Sequence, residues 1–281
     1  MALGHGVKRG VKSGVKRASV APDAVVRPPA GITVLIYHRV GGGSDSAVDL
    51  PVDAFERQLE HLAEHHRVLT LDEAVAELSV SAGDDGGAPS PPGVVITFDD
   101  GTADFVDHAV PALVRHRLPA ALYVATEFVE HGRDFPWGAP PATWAGLREA
   151  ASTGLVTIGS HTHSHWLLDR LDPDAIGADL DTSIELIGDH LGVAPAHFAY
   201  PKALPGSPAA EIQVRRRFRS ASLAASRVNR PGRTDLHRIW RTPVQRGDED
   251  RFFAAKAAGG MRLEGELRSL AARVRYRGAD R

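Results

Sequence analysis

Residues 94–101 read Val-Val-Ile-Thr-Phe-Asp-Asp-Gly. Val94–Phe98 is a run of β-branched and aromatic residues, the composition of a strand buried on both faces. It ends on two carboxylates and a glycine. The same grammar recurs along the chain. ITVLIY at 32–37 is followed by His38, and LVTIG at 155–159 by Ser160-His161-Thr162-His163-Ser164-His165. A weaker strand near Phe198 is followed by Tyr200-Pro201-Lys202. In parallel α/β folds, functional side chains gather at the C-terminal ends of strands. Four clusters of polar, ligand-capable residues after four strands therefore point to one shared site.

Further strands are expected at Ala120–Ala125, Ser220–Ala225 and Ile239–Pro243, with a short one at Val68–Leu71. Helical spacing marks 53–66, where Phe55, Leu59 and Leu62 share a face, and also 105–117, 143–152 and about 248–276. Asp72 is a candidate cap for the helix after the Val68–Leu71 strand, and Asp104 reads as a helix-start residue. Asp172-Pro173 supplies an N-cap and a first-turn proline for a helix carrying Ile176, Leu180, Ile184 and Leu191. Seven or eight strand–helix units in 281 residues predict an α/β fold: a distorted (β/α) barrel of parallel strands in a single domain. An open doubly wound sheet is the alternative, but the glycine-rich dinucleotide fingerprint is missing.

Composition excludes several classes. There is no cysteine, hence no disulfide, thiolate-zinc site or thiol nucleophile. No apolar run approaches the ~18–20 residues of a membrane-spanning helix. Residues 1–29 carry six cations and one anion, which leaves the remainder at −7 within a whole-chain net charge of −2. That acidic body argues against nucleic acid as the main partner. The tail repeats Gly-Val-Lys and lacks the apolar core of a secretory signal. It reads as a disordered basic segment able to make a weak electrostatic contact with an anionic surface, ahead of a folded domain over 30–281. A cytoplasmic or inner-membrane-associated location is the matching expectation.

The chemistry lies in carboxylates and histidines. Asp99 and Asp100, adjacent on a strand, face opposite ways unless the chain turns, and Gly101 permits a turn. One can then serve as metal ligand and the other as base. His161 and His165 stand four residues apart, as on one helical face; on an extended chain His161, His163 and His165 would all face one side. Asp100 with His161 and His165 gives one oxygen and two nitrogens, a set suited to zinc or another divalent ion. Such an ion polarises a carbonyl and acidifies bound water, whose proton Asp99 would accept. The sum is metal-assisted hydrolysis of an amide or ester.

These motifs resemble those of the polysaccharide deacetylase family (carbohydrate esterase family 4, the NodB-homology domain), over roughly residues 32–245. TFDDG at 97–101 is similar to its first motif, which implies Asp99 as base and Asp100 as ligand. GSHTHSH at 159–165 resembles its second, which implies His161 and His165 as ligands and leaves His163 at a variable position. FAYPKA at 198–203 resembles the third, which lines the groove and offers a backbone N–H to the oxyanion. That places Tyr200 and Lys202 among the substrate-binding residues. Where the third motif often has Arg and Tyr, this chain has Ala199 and Lys202. LIYHRV at 35–40 and HRIWRTPV at 237–244 resemble a branch acting on poly-N-acetylglucosamine. The late Leu-x-His motif is not evident, and the branch implies His38 as general acid. Arg238 is expected at the substrate and as a candidate to hold Asp99. Trp137, Trp144 and Trp240 are candidates for stacking on sugars.

The function so implied is removal of N-acetyl groups from an N-acetylated sugar or polysaccharide, with one divalent ion, most simply zinc. The alternatives are hydrolysis of another C–N bond on the same fold and a non-catalytic glycan-binding domain. The intact Asp99, Asp100, His161 and His165 argue against the last.

Overall fold

The structure, a computed structural model, describes residues 30–80, 91–267 and 276. The basic segment 1–29, residues 81–90 of the Pro/Gly-rich loop and most of the expected terminal helix beyond 267 lie outside the described residues.

Seven parallel strands form a ring: β1 (Ile32–Tyr37), β2 (Gly93–Phe98), β3 (Ala120–Val124), β4 (Val156–Ser160), β5 (His197–Ala199), β6 (Ser220–Ala224) and β7 (Ile239–Pro243). β7 pairs with β1, and β1 pairs with β2 from Ile32↔Gly93 to Tyr37↔Phe98. The sheet is therefore closed, and the open doubly wound alternative falls. The expected strand near 68 is the two-residue strand Arg67–Val68. It pairs with Gly93 and Val94 at the start of β2, whereas β3 pairs with Ile96–Phe98 at its end. The ring is also thin between β4 and β5, where Ser160↔Phe198 is the pair that joins them. These two irregularities are the distortion of the barrel.

Helices α1 (Val52–His65), α2 (Leu71–Ser79), α3 (Val110–His116), α4 (Thr126–His131), α5 (Trp144–Ser152), α6 (Pro173–Leu191), α7 (Pro208–Arg217) and α8 (Asp250–Ala257) belong to the connections and the C-terminal region. Asp172 caps α6 through the N–H groups of Asp174 and Ala175, as its sequence indicates. Thr70, not Asp72, caps α2, in a reciprocal box with Glu73; a hydroxyl three residues before a glutamate satisfies two helix-end donors at once.

Alternation along β2 decides what reaches the site. Val94, Ile96 and Phe98 pack in the cluster that includes Phe55, Leu59 and Leu62 of α1. Val95 packs with Val34, Ala121 and Tyr123 in a separate cluster, and the Tyr123 hydroxyl lies 3.2 Å from Ser222 Oγ. Thr97 and Asp99 continue the Val95 face, so the strand's period carries Asp99 to the barrel mouth. Among the described residues, no helix is long and apolar enough to cross a membrane.

Candidate active site

A cleft of about 850 Å³ lies at the C-terminal ends of the strands. His38, Asp99, Asp100, His161, His165, Lys202 and Arg238 all line it. Tyr200 is not among its lining residues.

The strand ladder ends at Phe98, and the chain then turns through two consecutive left-handed residues, Asp100 (φ 78°) and Gly101 (φ 91°). An aspartate tolerates this region better than most side chains. After the turn both Asp99 and Asp100 line the cleft, and the Asp100 carbonyl accepts the Ala125 N–H at 3.0 Å.

The histidine loop is neither helical nor extended. Thr162 (φ 69°) and His165 (φ 60°) are left-handed. The Asp179 carboxylate of α6 accepts the N–H groups of His163 and Ser164 at 2.9 Å, and Thr162 Oγ1 accepts that of His165 at 2.9 Å. His161 and His165 are thereby brought together and buried. His163 instead places Nδ1 3.0 Å from Thr126 Oγ1.

His161 Nδ1 lies 2.8 Å from the Ala199 carbonyl, which can only accept, so Nδ1 carries the proton and Nε2 offers a lone pair. Asp100 Oδ1 is 3.3 Å from His165 Nε2 and 3.7 Å from His161 Nε2. Donors arranged tetrahedrally around an ion at ~2.0–2.1 Å stand about 3.3–3.4 Å apart. The three groups converge within 4.8 Å of one another and fit one divalent cation. Burial pushes the His161 pKa down to about 4 against the pull of Asp99 and lowers that of His165 as well. Both rings are thus neutral, the form a metal requires. Burial alone would raise the Asp100 carboxyl, but His165, His38 and His161 outweigh it and hold it well below the usual range.

Asp99 is gripped by Arg241. Nη1 donates to Oδ1 at 2.6 Å and Nη2 to Oδ2 at 2.9 Å, both residues being buried. Nη1 also donates to Thr97 Oγ1 at 3.1 Å, and the guanidinium stands 5.0 Å from the Tyr123 ring centroid. Burial raises the Asp99 pKa, but Arg241, aided by His161 and His38, keeps it below the ordinary value. The partner of Asp99 is therefore Arg241, not Arg238. Arg238 pairs with Glu211 of α7 at the edge of the cleft. The sequence reading missed Arg241 because it sits inside β7 among residues read only as strand formers.

Tyr200 is corrected as well. Its ring packs edge-on to Phe198 at 5.1 Å, in the cluster holding Leu168, Ile176 and Leu180 behind the barrel wall. Its N–H donates to the Ser222 carbonyl at 3.2 Å. Neither its side chain nor its N–H is directed to the cleft. Trp144 stacks on His190 at 4.4 Å and does not line the cleft; Trp137 and Trp240 do. Asp104 stands at the start of the helical segment Phe105–Ala109 that leads into α3, as expected; its carboxylate makes no cap hydrogen bond and instead receives Arg39 Nε at 2.7 Å and Thr102 Oγ1 at 2.6 Å, which anchors the loop after β1.

The profile of the polysaccharide deacetylase family matches residues 86–216, the stretch that carries Asp99, Asp100, His161, His165 and Lys202. Just under half of the chain is thus similar to a polysaccharide deacetylase domain. A structure of IcaB from Ammonifex degensii is similar to it, with a TM-score of 0.70, 26% identity, and coverage of 83% of this chain and 98% of that one. The Streptococcus pyogenes deacetylase PplD, solved with acetate, superposes with a TM-score of 0.70 at 21% identity over 82% of this chain and 99% of its own, which speaks for the fold. YxkH of Bacillus subtilis strain 168, provisionally named a polysaccharide deacetylase, is 27% identical over 174 residues. That match covers 62% of this chain and 57% of YxkH. The barrel extends beyond the matched residues: β1 and His38 after it lie before them, and β7 with Arg241 lies after them.

Proposed function

We propose that the chain is a metal-dependent hydrolase that removes N-acetyl groups from an N-acetylated glycan. The observation that carries this is the juxtaposition of two buried units at one barrel mouth, a convergent Asp100–His161–His165 triad and a carboxylate, Asp99, fixed by a bidentate arginine. The match to the deacetylase family and the likeness to IcaB support the same reading.

Asp100, His161 and His165 would hold the ion, with zinc the simplest choice for one carboxylate and two imidazoles. A divalent ion bound there supplies Lewis-acid polarisation and acidifies a water. Asp99 is the base. Its low pKa keeps it ionised, and Arg241 fixes both oxygens so that the proton acceptor does not wander. His38 is the acid, delivering a proton to the departing nitrogen, since an amine anion is too basic to leave. His38 Nδ1 is buried and, among the described residues, meets no hydrogen-bond partner.

Acetate release by metal-loaded protein tests the function on chitooligosaccharides, β-1,6-linked glucosamine oligomers and nucleotide-linked sugars. Release from at least one is expected; turnover of small cyclic amides alone would replace this reading with that of another C–N hydrolase. Elemental analysis tests the ligands. His165→Ala should lose most of its metal, and His163→Ala should keep about one ion per chain; the reverse would move the site. His38→Ala should retain its metal and lose ~10²–10⁴-fold in amide turnover. The loss should shrink on an aryl acetate, whose leaving group departs unprotonated. Equal losses on both substrates would reassign His38 to binding or structure.

A further inference from the structure

Helix α6 turns an apolar stripe inward, with Ile176, Leu180 and Ile187 buried. Two polar residues interrupt that side, Asp179 and Ser183, four residues apart and so neighbours on the helix surface. A polar group on a packed face must find a partner, and both find it in the histidine loop. The Asp179 carboxylate accepts the N–H groups of His163 and Ser164, one on each oxygen, at 2.9 Å. Ser183 Oγ lies 2.7 Å from Ser160 Oγ, both residues being buried, and Ser160 Oγ accepts the Thr162 N–H at 3.2 Å. Thr162 Oγ1 takes the His165 N–H at 2.9 Å. Each main-chain N–H from Thr162 to His165 therefore donates to a side-chain oxygen.

This matters because the loop is strained. Thr162 is β-branched yet left-handed, at φ 69°, and His165 is left-handed at φ 60°. Such conformations persist only where the surroundings impose them. The rings of His161 and His165 sit at the two ends of the loop, and α6 grips its middle. On the other side, the Thr126 and Glu127 N–H groups at the start of α4 donate to the carbonyls of Thr162 and His163 at 3.3 and 2.9 Å. Two consecutive N–H groups converging on one carboxylate fix the peptide planes between the two rings, and with them the angle at which the imidazoles meet Asp100.

We infer that Asp179 is a positioning residue that holds the histidine loop in its ligating shape before an ion arrives, so that metal affinity at the triad is set in part from α6. Ser183 supports it through Ser160. The inference rests on the metal-site reading above. Without the Asp179 carboxylate, the N–H groups of 163 and 164 turn to water and the left-handed residues relax. Metal binding must then reorder the loop, and affinity falls.

Zinc affinity is measured on metal-stripped, full-length protein by competition with a chromophoric chelator. Amide exchange is followed over residues 161–166 in the same metal-free samples. Cobalt-loaded protein adds a visible spectrum that reports ligand geometry. Asp179→Asn keeps one acceptor and turns a donor toward the second N–H. It should weaken zinc binding by about 10–100-fold, the scale of a lost outer-shell partner, speed exchange at 163 and 164, and shift the cobalt spectrum. Asp179→Ala should do at least as much and Ser183→Ala less. Asp181→Asn is the charge-matched control, because Asp181 pairs with Arg217 on the exposed side of α6, and it should bind zinc as the wild type does. Wild-type zinc affinity in folded Asp179→Asn overturns the inference, and so does an equal loss in Asp181→Asn. Should Asp179→Asn not fold, Ser183→Ala carries the test, and unchanged affinity with unchanged exchange at 162 overturns it. Wild-type protein that binds neither zinc nor cobalt overturns the metal reading and the affinity claim with it; exchange at 163 and 164 then still reports whether Asp179 shapes the loop.

Discussion

Asp99→Asn is expected to keep about one metal ion per chain and to lose turnover by ~10²–10⁴-fold or more, the span of a removed general base. Asp99 stands beside the ligand triad without belonging to it. The amide is nearly isosteric, so the barrel mouth should remain packed. It cannot take up a proton at Oδ, and its NH₂ group turns a donor toward Arg241, which has only donors to offer. Metal content and melting temperature must be read alongside the rate. Normal turnover in a metal-loaded, folded Asp99→Asn protein would remove the base from Asp99.

Arg241→Met should be the most destabilising single substitution at the site. It strips a buried carboxylate of its bidentate partner, and breaking one side of a buried ion pair costs about 3–5 kcal/mol. The sign of the pH effect follows from the Asp99 pKa, which is lowered in the folded protein. Its stabilising contribution is present above the unfolded carboxylate value and is lost as pH falls through the folded one. Without Arg241, burial dominates and the carboxyl rises. The acid limb of the pH–rate profile should then move to higher pH, and chemical denaturation should show the stability loss. Arg241→Lys should recover part of the charge compensation but not the two-point grip, because an ammonium lacks the planar fork. An unshifted acid limb in Arg241→Met would show that Asp99 does not govern that limb.

Much of the barrel was legible because its strands are short, apolar and punctuated. The stretch 94–101 announces a buried strand, a turn and two carboxylates, and the structure builds those three things. The histidine loop was legible in composition but not in shape. Its path is set by two left-handed residues and by Asp179 reaching back from α6, and neither leaves a periodic trace. Arg241 had a signal that went unused. It shares the face of Ile239 along β7, and a charge inside an apolar strand must find a partner. Arg238, three residues earlier, lies outside that strand. The same period explains Tyr200: Phe198 and Tyr200 share the face toward α6 and α7, and Ala199 faces the interior. A motif match located the segment without saying which of its side chains looks inward.

The hydrogen bond from His161 to Ala199 has a second meaning at the thin joint between β4 and β5. The main-chain ladder there amounts to the single pair Ser160↔Phe198. The imidazole proton reaches the next carbonyl of β5 at 2.8 Å, where another rung would have come. One ring thus laces the hoop and faces the cleft. Opening the seam, the kind of sub-global fluctuation that amide exchange detects, would swing Nε2 away from Asp100. Whatever occupies the triad would oppose that opening with its own binding free energy, so the chemistry at the mouth and the integrity of the hoop rise and fall together.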